Sequence, residues 1–204
     1  MDTNRQKINY EKEMEEILSN VNKGSTLLLH SCCAPCSSHV LSLLTDYFSI
    51  TVFYYNPNIE PYEEYQKRKE EEIRLIKELP HTYPIEIIDC DYDNDLYHEK
   101  VKGLEQEKER EKRCTVCFQL RLEKTAQIAK ENHFDFFATT LTVSPYKNAE
   151  LINLIGKKLE RKYNINYLPS DFKKKDGYKH SILLSNKYNL YRQNYCGCIY
   201  SKRP

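Results

Sequence analysis

Residues 26–48, TLLLHSCCAPCSSHVLSLLTDYF, decide the fold. The first five are a continuous apolar run of strand length, and Val40, Leu43, Leu44 and Tyr47 recur with the spacing of one helix face. Between them lies a cysteine-rich loop whose backbone Pro35 restricts. The order is strand, loop, helix, with the helix expected over residues 37–48. The same alternation continues along the chain. Residues 50–55 (ITVFYY) form the next β-rich run, closed by Asn56-Pro57, and residues 60–79 a long helix with a charged face, stopped by Pro80. Residues 85–89 (IEIID) predict a third strand, residues 93–108 a helix of weak apolar pattern, and residues 114–132 a helix that offers Leu120, Ala126, Ile128 and Ala129 for burial. A fourth strand over 135–139 (DFFAT) leads through the loop TLTVSPYKN to a helix over 151–162. Strands alternating with helices predict an α/β fold, a parallel sheet with right-handed crossovers and helices on both faces.

Residues 3–22 predict a charged amphipathic helix ended by Gly24, an appendage to that fold. The chain then divides into an N-terminal helical extension, residues 1–24, and a single α/β catalytic domain, residues 25–204. Its 204 residues suffice to bury a core without disulfides. With 40% hydrophobic residues, 30% charged residues and a net charge of +1, it is not a disordered polyelectrolyte. No apolar run approaches the ~18 residues of a membrane span. The N-terminus lacks an apolar stretch followed by a small-residue cleavage site, so a cytoplasmic location is expected. In that reducing compartment eight cysteines point to metal ligands or redox thiols. The five glycines are scattered, which excludes GxGxxG and P-loop phosphate sites.

Charge is unevenly spread. Residues 151–204 carry 12 basic and 3 acidic side chains, against 19 and 27 in residues 1–150. This basic C-terminal segment is interleaved with Tyr163, Tyr167, Phe172, Tyr178, Tyr188, Tyr191 and Tyr195. Two readings stand: a surface for phosphates and stacked bases, or a solvated basic face over core tyrosines.

In parallel sheets the ligand crevice lies beyond the carboxyl ends of the strands. Cys32, Cys33 and Cys36 directly follow the first strand, and the loop TTLTVSPYKN follows the fourth. Cys114 and Cys117 form a second group at an expected helix N-terminus, where the helix dipole, with Arg110 and Arg113, favours thiolate. Cys196-Gly197-Cys198 is the third group. A structural zinc site from Cys33, Cys36, Cys114 and Cys117 would be split by a long βαβ stretch. A thioredoxin-like dithiol leaves most of the cysteines unexplained. An iron–sulfur cluster with an additional redox pair uses seven of the eight. Cys90 has no partner in sequence and reads as a structural thiol.

Five segments carry a resemblance: HSCCAPCS (30–37), RCTVCFQLRLEKTA (113–126), TTLTVSPYKN (139–148), DFKKKDGY (171–178) and LYRQNYCGCIYS (190–201). Occurring together in this order, they resemble the cobalamin-independent epoxyqueuosine reductase family, which completes queuosine in transfer RNA. The likeness runs from about residue 27 to residue 201. It implies an adenine-nucleotide-hydrolase-like α/β fold and two-electron reductive deoxygenation of epoxyqueuosine at the anticodon wobble position. It further implies that Cys32, Cys33, Cys114 and Cys117 hold a 4Fe-4S cluster, with Cys196 and Cys198 as a redox-active pair. An additional mononuclear iron is implied beside the cluster, and Cys36 is its candidate ligand. The implied partners are tRNA with a modified wobble base and an external electron donor.

Epoxide reduction to an alkene takes two electrons and two protons. A single cluster delivers one electron at a time, so the iron or the dithiol is expected to store the second. Arg192, Tyr191 and Tyr195 beside the CGC segment, and Ser144, Tyr146 and Lys147 in the loop after the fourth strand, are candidates for substrate contact. An equally weighted reading has Ser144 and Asn148 capping the following helix. Lys173, Lys174 and Lys175, with Lys179, Lys202 and Arg203, would meet RNA phosphate. His30 and His39 flank the cysteine loop, and a histidine ending a strand is more often a satisfied core group than an acid. Two other classes compete. A tRNA thiolation enzyme of similar fold would need a glycine-bearing phosphate loop after the first strand, which HSCCAPCS lacks. A zinc-dependent, non-catalytic RNA-binding protein would bind zinc without iron or sulfide.

Overall fold

Leu27 and Leu29 of strand β1 (Ser25–His30) enter one apolar core and Leu28 between them enters another, and all three are fully buried. That alternation belongs to the central strand of a sheet covered on both faces. The computed structural model describes residues 8–202. β1 is flanked by β2 (Phe48–Phe53) and β4 (Phe136–Thr139), with β3 (Ile85–Ile88) and β5 (Asn166–Tyr167) at the edges. The order is β3-β2-β1-β4-β5, and every pairing is parallel. The expected α/β architecture is the observed one.

Helices α2 (Ala34–Leu44) and α3 (Tyr62–Glu78) lie over the first face, where Val40, Leu41, Leu44, Leu75 and Ile76 meet Leu27, Leu29, Ile50 and Val52. Helices α5 (Lys112–Glu131) and α6 (Ala149–Tyr163) lie over the second, through Phe118, Leu122, Ala126, Ala129, Ile152 and Leu159. The weakly patterned segment expected as a helix over 93–108 is only α4 (Asn94–Val101). α6 approaches β5 so closely that a Cβ on Gly156 would stand 2.3 Å from the Tyr167 ring.

Helix α1 (Tyr10–Asn20) is shorter than the expected 3–22, of which residues 3–7 lie outside the described residues. It is not an appendage. Tyr10, Met14 and Leu18, spaced four apart, are all buried, and Met14 and Leu18 belong to the first core. Two elements have no apolar period to mark them: β5, of two residues, and α7 (Gly177–Lys187), which buries only Gly177, Ser181 and Ser185. Among the described residues no helix is long and apolar enough to cross a membrane.

Candidate active site

Strand order reverses between β1 and β4, so a crevice opens beyond their carboxyl ends. His30 ends β1 opposite Thr139, which ends β4. The two following loops are laced together. The Cys32 amide donates to Thr140 Oγ1 at 3.2 Å, and the Thr140 hydroxyl donates to the Cys32 sulfur at 3.4 Å. His30 Nε2 lies 3.1 Å from the Tyr55 carbonyl and Nδ1 2.9 Å from Thr139 Oγ1. A carbonyl only accepts, so Nε2 carries the proton and Nδ1 accepts from Thr139. Burial, aided by nearby Arg121, pushes the imidazole pKa down to about 3. His30 is thus the satisfied core group that its place at a strand end suggests.

Helix α2 begins directly after Cys33 with Pro35 in its first turn, which brings Cys36 back over the loop. The Cys32, Cys33 and Cys36 sulfurs all lie within 4.8 Å of one another, Cys32 and Cys33 at 3.9 Å. This cluster of soft donors can hold a metal. Hydrogen bonds from the Cys33 and Cys36 thiols hold Cys32 well below the usual thiol range, and the same interaction raises Cys33 and Cys36. The Gln193 side chain faces Cys33 from the C-terminal segment.

The second group stands on α5. Cys114, Cys117 and Arg121 follow one another at helical spacing, and Cys114 accepts the Arg110 amide at 3.2 Å. The expected thiolate preference at this helix N-terminus is not realised. Burial outweighs the dipole, raising Cys114 and pushing Cys117 up to about 12.

The third group arrives on a strap, residues 188–198, laced along α3. Arg74 donates to the Tyr188 and Asn189 carbonyls at 3.0 and 3.2 Å, and the Tyr191 amide donates to Glu71 at 2.6 Å. The Tyr191 hydroxyl donates to Glu64 at 3.1 Å while the Lys67 ammonium sits 3.6 Å from its ring centre. Tyr195 donates to the Glu60 carbonyl, Arg68 donates to the Cys196 carbonyl at 3.3 Å, and the Glu60 amide donates to the Gly197 carbonyl at 2.9 Å. The strap ends with Cys198 3.0 Å from the Tyr97 hydroxyl. All eight cysteines are free thiols.

One cavity collects Cys114, Cys117, Cys196 and Cys198 with Tyr97, Arg113, Arg121, Tyr146 and Lys147. The Cys32–Cys36 trio borders it through shared cations: Lys147 faces the sulfurs of Cys196, Cys32 and Cys36, and Arg121 those of Cys117, Cys196 and Cys32. Burial works against the Lys147 ammonium, but these sulfurs outweigh it and its pKa is raised. Seven cysteines thus converge on one cation-rich crevice.

The other expected contact residues are dispersed. Tyr146 is exposed at the cavity wall with the Arg110 guanidinium 5.4 Å from its ring centre, whereas Ser144 is buried and accepts the Tyr146 amide at 3.3 Å. Asn148 caps α6 by accepting the Leu151 amide at 3.1 Å. Tyr191 and Tyr195 lie in the strap contacts, and Arg192 reaches Ser185 on α7 at 3.1 Å. None of these three lines the cavity. Lys173 pairs with Asp171, Lys175 with Glu15 on α1, and Lys174 donates to Asn9 at 2.9 Å. Arg121, Arg68, Tyr97 and Gln193 were not singled out in the sequence. Only Arg121 carried a signal, its place four residues after Cys117.

A cysteine-lined crevice at the switch point of a parallel sheet, with a thiol cluster able to hold a metal, has the layout of an α/β enzyme site. A family profile described as epoxyqueuosine reductase QueH matches residues 27–204. The chain is 42% identical over 203 residues to the epoxyqueuosine reductase QueH of Streptococcus pyogenes serotype M1, covering 97% of this chain and 80% of that protein. It is 45% identical over 184 residues to the protein of that name from Acinetobacter baylyi (89% and 83%) and 36% identical over 182 residues to that of Thermotoga maritima (86% and 90%). The chain belongs to the epoxyqueuosine reductase QueH family. It is an oxidoreductase that reduces epoxyqueuosine to queuosine in tRNA.

Proposed function

We propose that this reduction takes place at a 4Fe-4S cluster held by Cys32, Cys33, Cys114 and Cys117, with an additional mononuclear iron at Cys36 and with Cys196 and Cys198 as a redox-active pair. The observation that carries the reading is the convergence of seven thiols around Arg121 and Lys147, two cations with no carboxylate within 4.0 Å among the described residues. Soft thiolate donors suit iron–sulfur centres, and neighbouring cations suit the negative charge that such a centre carries. When bound, the metal centre supplies single electrons at low potential and a Lewis acid for the epoxide oxygen.

The residues of the chain divide the remaining work. Overall the epoxide takes up two electrons and two protons, leaving an alkene and one water. Cys196 and Cys198 would supply an electron pair by passing from dithiol to disulfide, losing two protons, and an external donor would restore them. Tyr146, exposed at the cavity wall beside Arg110, offers a face on which the wobble base stacks, and Lys147 at its inner edge a proton or a cationic contact for the leaving oxygen. Lys173, Lys174 and Lys175 already meet partners within the fold, so phosphate contact near the site falls first to Arg110 and Lys147. A tRNA substrate favours a cytoplasmic setting.

The test is anaerobic purification with iron, sulfide and zinc analysis and a visible spectrum. Four or five irons with four sulfides are expected on the proposed ligands. Zinc alone, without sulfide, in protein never exposed to air would remove the cluster from the mechanism.

A further inference from the structure

Three large buried cations lie near the crevice. Arg68 is paired with Glu64 at 2.7 Å, and Arg113 donates through Nη1 to the backbone carbonyls of Leu104, Glu105 and Glu107 while its Nε has no partner among the described residues. Arg121 makes only two hydrogen bonds among the described residues. It is 1% exposed, and its guanidinium donates to Asn56 Oδ1 at 3.2 Å and to the Cys117 carbonyl at 3.4 Å, both uncharged. Nη2 has no hydrogen-bond partner, and among the described residues no Asp or Glu oxygen lies within 4.0 Å of the guanidinium. An unpaired charge away from water is among the costliest features a fold can carry. What the guanidinium does face is sulfur: Cys117 one turn back on its own helix, Cys196 from the strap and Cys32 from the loop after β1. Arg113 and Lys147 line the same cavity and add to the positive charge.

We propose that Arg121 is the built-in counter-charge of the metal–thiolate centre, a positioning residue that draws the three cysteine segments together and raises the centre's reduction potential. The inference rests on the metal-centre reading above. A thiolate-ligated centre is anionic and gains one more negative charge on taking up an electron. A fixed cation in a water-poor site therefore stabilises the reduced form more than the oxidised form. The metal-free fold holds the charge at a loss, and loading the centre relieves it.

The experiment compares wild type, Arg121→Met and Arg121→Lys after anaerobic reconstitution with iron and sulfide. Metal content, midpoint potential by visible titration, and thermal melting of the loaded and metal-free forms are measured. At the wild-type midpoint, the reduced-to-oxidised ratio of Arg121→Met is expected to fall at least tenfold, which is 59 mV for a one-electron couple. Arg121→Lys is expected to recover most of it. In the metal-free form Arg121→Met is expected to melt at or above wild type, because removing an unpaired buried cation costs little, and in the loaded form below it. An unmoved midpoint overturns the inference, as does an equal loss of melting temperature in both forms, which marks a purely structural arginine. If Arg121→Met takes up no cluster, the metal-free melting alone decides. A wild-type protein without iron and sulfide overturns the metal-centre reading itself, a different outcome from a wild-type cluster whose potential ignores residue 121.

Discussion

The buried guanidinium of Arg68 donates to the backbone carbonyl of Cys196 at 3.3 Å, so one side chain of α3 holds the main chain of a cysteine 128 residues later in sequence. Arg68 also meets Glu64, and its guanidinium lies 4.9 Å from the Tyr195 ring centre. Replacing it by Met removes the latch and leaves Glu64 without its cationic partner, with only the Tyr191 hydroxyl to meet it. Arg68→Met is expected to cost about 3 kcal/mol of stability. Faster amide hydrogen exchange should be confined first to residues 195–198; exchange unchanged there would show that the strap is held by other contacts.

Gly197 has φ +110°, and a Cβ there would stand 2.8 Å from Ile59 Cγ1. Gly197→Ala therefore meets both backbone strain and overpacking, together about 2–4 kcal/mol. The docked turn is expected to open, and Cys196 and Cys198 should be alkylated faster than in wild type. Equal rates would mean that the turn tolerates a side chain.

Glu72 on α3 is fully buried, with its oxygens facing the Ser31 and Ser37 hydroxyls but in no well-formed hydrogen bond. Burial pushes its carboxyl up to about 8. A raised acid favours the folded state while protonated, so this contribution is whole below the ordinary carboxyl pKa. It is lost as pH climbs through 8, with a slope of up to about 1.4 kcal/mol per pH unit. Urea midpoints should fall between pH 6 and pH 8.5 in wild type and fall less in Glu72→Gln; parallel profiles would contradict the assignment.

For His30 the sign is opposite. Its pKa is depressed to about 3, so the neutral form is the folded one. Stability is complete above the unfolded imidazole pKa of roughly 6.5 and is lost as pH drops toward 3. NMR of the His30 ring should show no titration between pH 5 and pH 8, and a midpoint near 6.5 would restore it as a candidate acid.

Four strands, the sheet type and the placement of the cysteine loop were legible because apolar runs and proline breaks are local signals. Element edges were not: α2 begins at Ala34, three residues before its apolar period, since its first turn buries Ala34 and Pro35 against the loop. α7 escaped because it packs on α2 and buries Gly177, Ser181 and Ser185, small residues that hydrophobic periodicity does not register. The lysines 173–175 read as a free basic patch because the partners of Lys174 and Lys175 lie on and beside α1, some 160 residues earlier. The side chain at Arg121 resembles any solvated charge on a helix until Asn56 and Cys32 are brought beside it by the sheet.

The strap imposes an order of assembly on the living chain. Cys32 and Cys33 leave the ribosome first and Cys196 some 163 residues later, an interval of roughly 8–30 s at ordinary rates of synthesis. Throughout that interval β1 and its three clustered thiols exist without the segment that later closes over them. The vulnerable moment for this site is therefore birth, when stray copper or an oxidant can reach sulfurs that the finished molecule keeps sheltered.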